Sequence, residues 1–318
     1  MCNKMLFIDG HCDTLSKALD ENKKLDINDL QFSFQMADEI GGGIQIMACF
    51  IEPTYLKEKN GGFIRCNEII KKINEYEEKN NKKIIIKNKK DLQNAIINNK
   101  TKVILSVENG SAISGNIKNI EFLYNKGIRI MSLTWNEDND IACGAHTKND
   151  RGLTCFGIEY IKKLVECNIL IDVSHLSEKS FWDVVNLVNV PIVATHSNVY
   201  NICKNPRNLK DNQIKAIANS GGIIGICFYS EFLNSNSKAN IKDIIKHIKY
   251  IKDLVGIDYI GLGSDFDGMS INETAEDAKN INELVNVIKE LKKEGFSEEE
   301  INKIMKNNWL RVLNNLFI

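Results

Sequence analysis

The sequence predicts a single (β/α)8 TIM barrel with a short C-terminal helical extension, one domain spanning residues 1–318. Three observations carry this expectation. Eight short, β-rich apolar runs alternate with longer segments of helical period along the chain. Each run is nearly continuously apolar rather than alternating, as in strands covered on both faces. No Pro/Gly/Ser-rich stretch or composition shift divides the chain, and its length suits a barrel built as one unit.

The runs are 5–11 (MLFIDGH), 43–50 (GIQIMACF), 102–109 (KVILSVEN), 127–135 (GIRIMSLTW), 169–175 (ILIDVSH), 191–198 (PIVATHSN), 222–229 (GIIGICFY) and 258–266 (DYIGLGSDF). Between them the spacing of apolar residues predicts helices over 29–40, 63–79 with 90–98, 116–126, 156–167, 177–188, 211–219, 240–255 and 276–294. The helix over 240–255 carries Ile241, Ile244, Ile245, Ile248, Ile251 and Leu254 on one stripe, which leaves His247 among polar residues and predicts that it faces solvent. After the eighth unit, Ser297 with Glu300 three residues on forms a capping box that opens the first of two short helices. These are expected to close the bottom of the barrel or to pack outside it. Glycines at 41–43 and 221–222 read as turns before strands, and the Asn/Lys-rich stretches 78–91 and 98–102 as solvated turns.

Composition excludes several classes. Lys and Arg number 41 against 42 Asp and Glu, so a net charge of −1 offers no global attraction to nucleic acid or to an anionic membrane. The opening MCNKMLFIDGHCD breaks its apolar run too early for a signal peptide, and no stretch reaches the ~18 apolar residues of a membrane span. A cytoplasmic protein is expected. Nine cysteines, Cys2, Cys12, Cys49, Cys66, Cys143, Cys155, Cys167, Cys203 and Cys227, show no CxxC pair and read as reduced, mostly buried thiols.

Active sites of this barrel type lie at the C-terminal ends of the strands. His11 and Asp13 close the first run, Glu108 the third, His175 the fifth, His196 the sixth and Asp265 the eighth. Positions i and i+2 of a strand share a face, so His11 and Asp13 can point together at the barrel mouth. A single strand-end histidine is more often structural than a ligand; three of them with carboxylates, in apolar runs whose one cation, Lys102, opens its run six residues before Glu108, are better explained by metal. Imidazole and carboxylate suit zinc. Five ligands exceed a four-coordinate site that also holds water, which a second ion resolves if Glu108 bridges. His11 and Asp13 then hold one ion, His175 and His196 the other, and the pair generates hydroxide near neutral pH. The implied class is metal-assisted hydrolysis.

The strings FIDGHCD, SVENG, IDVSH, ATHSN with PRNLKD, GLGSDFDG and NNWLRVL, in this order and spacing, resemble the membrane (renal-type) dipeptidase family of amidohydrolase-like barrels. The resemblance spans His11 to Leu313 and rests on an HxD first motif where most other amidohydrolases carry HxH. It implies a zinc dipeptidase in which two zinc ions per chain are held by His11, Asp13, bridging Glu108, His175 and His196. The substrate would be a dipeptide, cleaved through a metal-bridging hydroxide. It further implies Asp265 as catalytic acid/base, Arg207 as a substrate-binding residue, and a homodimer. Arg207 stands eleven residues after His196 in a loop stiffened by Pro206, from which a planar guanidinium could anchor a substrate carboxylate.

One position departs from the family. The renal-type histidine after the fourth strand is replaced in Thr134-Trp135, so Trp135 is expected to shape the pocket wall; His146, eleven positions on in a loop, is a candidate to take the histidine's place but reads more readily as exposed. This keeps open a hydrolase of another small amide, ester or phosphoester, while a non-catalytic metal-stabilised binding protein is the reading from outside the enzymes. Cys12 should point away from its ligand neighbours and pack. Asp172 is either structural or supports His175, and DFDG lacks the other ligands of a calcium loop.

Overall fold

The computed structural model describes residues 6–97, 100–236 and 238–317. Eight parallel strands close into a barrel in sequence order: β1 (Phe7–Cys12), β2 (Gly43–Phe50), β3 (Lys102–Glu108), β4 (Ile128–Ser132), β5 (Leu170–Asp172), β6 (Ile192–Ala194), β7 (Ile223–Ile226) and β8 (Ile260–Leu262). Asp9 opposite Leu262 completes the ring. The helices between them are α1 (Thr14–Asp20), α2 (Phe34–Glu39), α3 (Gly61–Asn80), α4 (Lys89–Ile97), α5 (Lys118–Lys126), α6 (Cys155–Glu166), α7 (Glu178–Leu187), α8 (Asp211–Asn219), α9 (Ser230–Leu233), α10 (Ile241–Val255) and α11 (Leu284–Lys293).

The strands are shorter than their apolar runs, most at β5, β6 and β8. There the chain leaves the ladder early, and residues at positive φ, His175 at 69° and Asp265 at 64°, turn it over the barrel mouth. His175, His196 and Asp265 thus lie beyond their strands rather than at their last positions. Asp13 also follows β1, as the N-cap of α1, after the ladder shifts between Asp9 and Cys12.

Two helices differ from expectation. Over 29–40 only Phe34–Glu39 is helical, because the Ser33 side chain accepts from Met36 N–H and sets the start there. Over 276–294 the helix waits until Leu284, since Asp277 adopts φ 65° and Asn280 caps a 3-10 turn. Neither α1 nor α9 was legible in the sequence. Met5, which opens the first apolar run, Cys2 and residues 98–99 of one predicted turn lie outside the described residues. The eight described cysteines are free, six of them buried.

The extension closes the barrel bottom. α12 (Glu298–Asn302) passes through a π-helical turn, Lys303–Asn307, into α13 (Asn308–Leu316), so the two helices form one run. Trp309, fully buried, packs with Val312, Leu313 and Leu316 against the inward-facing Ile8, Ile44 and Ile104, and its indole N–H donates to Leu262 C=O at 2.9 Å. A Cβ at Gly10 would stand 2.4 Å from this ring and one at Gly261 2.5 Å, so both positions need glycine. Truncating Trp309 to alanine should cost about 3–5 kcal/mol. The other core lies between strands and helices, where Cys12 packs.

His247 is not solvent-facing. It is fully buried on α10, accepting at Nδ1 from Val199 N–H and donating from Nε2 to Leu233 C=O. α9 and the loop after β6 cover a helix face that its lysine neighbours made look polar.

Candidate metal centre

Five side chains converge above the strand ends. His11 Nε2 lies 3.2 Å from Asp13 Oδ2 and 3.5 Å from Glu108 Oε2. Across the mouth, His175 Nε2 lies 2.8 Å from Glu108 Oε1 and 2.8 Å from His196 Nε2, and His196 Nε2 is 3.7 Å from the same Glu108 oxygen. Two triads, His11–Asp13–Glu108 and Glu108–His175–His196, each bring ligand atoms within 4.8 Å of one another and share Glu108. Asp265 joins a third with His11 and His196, its Oδ1 3.7 Å from His11 Nε2.

The chain fixes two of the imidazoles, those of His175 and His196, so that Nε2 presents a lone pair. His175 Nδ1 faces Asn136 Oδ1 at 2.9 Å, an acceptor that requires Nδ1–H. His196 Nδ1 faces Thr195 Oγ1 at 2.9 Å, and that hydroxyl donates to Asp172 Oδ2 at 2.6 Å, so it can only accept from the ring. Asp172 therefore acts on His196 through Thr195; it also accepts from the N–H groups of Ser174 and Thr195. The sequence alone left its role open.

The donor set fits divalent cations. Asp13 Oδ1 is buried without a hydrogen-bond partner, an expensive state for a carboxylate unless a cation faces it. Among the described residues, the ion-pair contacts of Asp13 and Glu108 run to histidine, with no lysine or arginine among them. Gly268 makes room: a Cβ there would lie 2.4 Å from Asp265 Oδ1 and 2.6 Å from Asp13 Oδ2.

Burial and mutual charge set the protonation of the metal-free cluster. Burial opposes ionisation of Glu108, yet the neighbouring His11 and His175 hold it well below the usual carboxylate range. Burial and the nearby Glu108 push Asp13 up to about 6. Burial, reinforced by the Asp13 and Glu108 carboxylates and opposed by His11, pushes Asp265 up to about 8. His175 falls to about 3 through burial and the Arg207 charge. Burial also keeps His196 neutral, whereas on His11 burial is overcome by the Glu108 and Asp13 carboxylates, which raise the imidazole well above its ordinary range, so a metal at Nε2 has to displace a proton there.

A cavity of about 490 Å³ opens over the cluster, lined by Glu108, His175 and Asp265 and walled by Phe50, Trp135 and Tyr229. Trp135 is half-buried, its ring 5.4 Å from Phe50 and 6.4 Å from His175. Arg207, only 3 % exposed, lines an adjoining recess of about 270 Å³ that shares His175. Its Nη2 donates to His196 C=O at 3.2 Å, its Nε has no partner, and the guanidinium lies over Phe232. His146 is exposed and lines neither space. Asp267 holds no place in the cluster: it accepts from Thr14 Oγ1 and Gln31 N–H, tying α1 and the loop before α2 to the loop after β8.

Asn136 and Thr195, which face the rings of His175 and His196, and Cys227, whose Sγ lies 3.5 Å from Asp265 Oδ2, adjoin the cluster in places that strand-end inspection does not reveal. For Asn136 and Thr195 the signal was position next to an expected site residue; Cys227 offered only its place just past a strand.

The model of the family described as membrane dipeptidase (peptidase family M19) matches residues 1–316. An uncharacterized protein in the pqqA 5′ region of Klebsiella pneumoniae is 33% identical over 68% of this chain and 82% of its own. An uncharacterized dipeptidase of Schizosaccharomyces pombe is 28% identical over 85% of this chain and 68% of its own. The fold is shared with a Rhodobacter sphaeroides metallopeptidase crystallised with a phosphinate mimic of the dipeptide L-Ala-D-Ala, at TM-score 0.87, 21% identity and coverage of 98% and 99%. No helix of the described residues is long and apolar enough to cross a membrane.

Proposed function

Because the chain belongs to the membrane dipeptidase family, peptidase family M19, we propose that it is a dinuclear zinc dipeptidase working through a metal-bridging hydroxide. The observation that carries this reading is the division of Glu108, whose Oε2 faces His11 and whose Oε1 faces His175 and His196. One carboxylate shared by two ligand groups is the arrangement of a bridged pair. His11 and Asp13 would hold one ion, His175 and His196 the other. When bound, the two ions supply an acidified water and a Lewis-acid contact for the scissile carbonyl.

The remaining steps belong to the chain. Asp265, at the mouth with Oδ1 toward His11, receives the proton released on attack and delivers it to the leaving amine. Arg207, buried with a free Nε, supplies a charged fork for the carboxylate one residue beyond the scissile bond. Trp135 and Phe50 wall the space for a substrate side chain.

Chelator-stripped protein titrated with zinc, against a panel of dipeptides, tests the reading. Turnover should rise to a plateau at two zinc ions per chain. Fully loaded protein that leaves every dipeptide intact, while cleaving a small ester or phosphoester, would replace it.

A further inference from the structure

We propose that Cys227 is a positioning residue for Asp265, its thiol donating a hydrogen bond that holds one carboxylate oxygen away from the metal cluster so that the other faces it. The inference deepens the dipeptidase reading and rests on Asp265 carrying the proton.

Cys227 sits just past the end of β7, fully buried. Its main chain is fixed at both groups by one side chain: Cys227 N–H donates to Asn198 Oδ1 at 3.1 Å, and Asn198 Nδ2 donates to Cys227 C=O at 3.0 Å. Asn198 follows His196 by two residues, so the clamp rises from the same loop as a cluster histidine. The sulfur has two polar neighbours. Tyr229 N–H donates to Sγ at 3.5 Å, and Asp265 Oδ2 lies 3.5 Å from Sγ on the other contact. A thiol has one hydrogen. Its first neighbour already donates, so that hydrogen is directed to Asp265, and complete burial leaves no water to compete.

Asp265 needs such a restraint. Its backbone stands at φ 64°, its N–H donates to His11 C=O and its C=O accepts from Gly268 N–H, which fixes the main chain and leaves χ1 and χ2 to be set by side-chain contacts. With Oδ2 held by the thiol, Oδ1 is left toward His11 Nε2 at 3.7 Å and against Gly268. The oxygens then have separate tasks: Oδ2 anchors and Oδ1 exchanges the proton.

The test uses the zinc-loaded enzyme with Cys227→Ser, Cys227→Ala and Cys227→Val. Alanine and valine should lower kcat about tenfold with KM within twofold and zinc content unchanged; valine fills the volume, which separates the lost donor from a cavity. Serine keeps a donor and should restore kcat to within about threefold of wild type. The infrared S–H stretch of Cys227, assigned by its loss in Cys227→Ser, should lie at the lowered frequency of a donating thiol and rise in Asp265→Ala. Wild-type kcat in Cys227→Val, or an S–H band unmoved by Asp265→Ala, would overturn the proposal. Wild-type enzyme without dipeptide turnover would overturn the dipeptidase reading instead, and the infrared band would still decide the thiol–carboxylate bond.

Discussion

Glu108 Oε1 lies 2.8 Å from His175 Nε2, a distance at which two acceptor atoms would repel unless a proton or a cation stood with them. Burial keeps His175 neutral and its one ring hydrogen goes to Asn136 Oδ1, so a cation is the partner this pair is built for. Purified protein reconstituted with zinc should therefore contain close to two ions per chain by elemental analysis. Glu108→Gln should weaken both sites, because a neutral amide bridges poorly, whereas His175→Ala should spare the His11–Asp13 site more. One ion in the wild type would reject the pair.

Asp265→Asn removes the proposed proton carrier while keeping the side chain's shape and an acceptor. It should lower kcat by about 10²–10⁴-fold with metal content nearly unchanged. Metal loss in proportion to activity would make Asp265 a ligand.

Arg207 is buried with an unpartnered Nε, and the proposed role for its charge is to bind a substrate carboxylate. Wild-type enzyme should prefer a dipeptide strongly over its C-terminal amide. Arg207→Ala should lose that preference mainly through the acid, at roughly 1.5–3 kcal/mol for a charge-assisted hydrogen bond. Equal losses on acid and amide would assign Arg207 to holding the His196 carbonyl.

Trp135 stands between Phe50 and His175 on the cavity wall. Trp135→His, which removes most of the ring area and adds a polar edge, should reorder the kcat/KM ranking across a dipeptide panel that varies the side chains. A ranking that survives the substitution would place the ring outside the substrate's reach.

His247 should make stability pH-dependent. Burial lowers its folded pKa to about 4, against ~6.5 in an unfolded chain. A proton at Nδ1 would also meet the Val199 N–H that now donates there. The unfolded state binds a proton that the native state refuses, so stability is complete above ~6.5 and falls as pH drops toward 4, by at most about 3 kcal/mol. Urea midpoints at pH 7 and pH 5 should fall more for wild type than for His247→Gln, which offers both an acceptor and a donor but does not titrate. Parallel losses would refute the assignment.

The barrel and the side chains gathered at its mouth were legible in the sequence because both follow from local pattern. Runs such as GIQIMACF and KVILSVEN are apolar on both faces, and a strand so built must lie between a barrel interior and a layer of helices. His11, Asp13, Glu108, His175, His196 and Asp265 were visible because a polar residue at the end of such a run has one place to go, the mouth. Tertiary structure decided what depends on closure. The covering of His247 by α9 and the loop after β6, the burial of Arg207, the Asp172–Thr195–His196 relay and the meeting of Cys227 with Asp265 join residues from different βα units. A hydrogen bond between side chains on separate units is set by distance and direction within a few tenths of an ångström, and only the packing of the closed barrel fixes those.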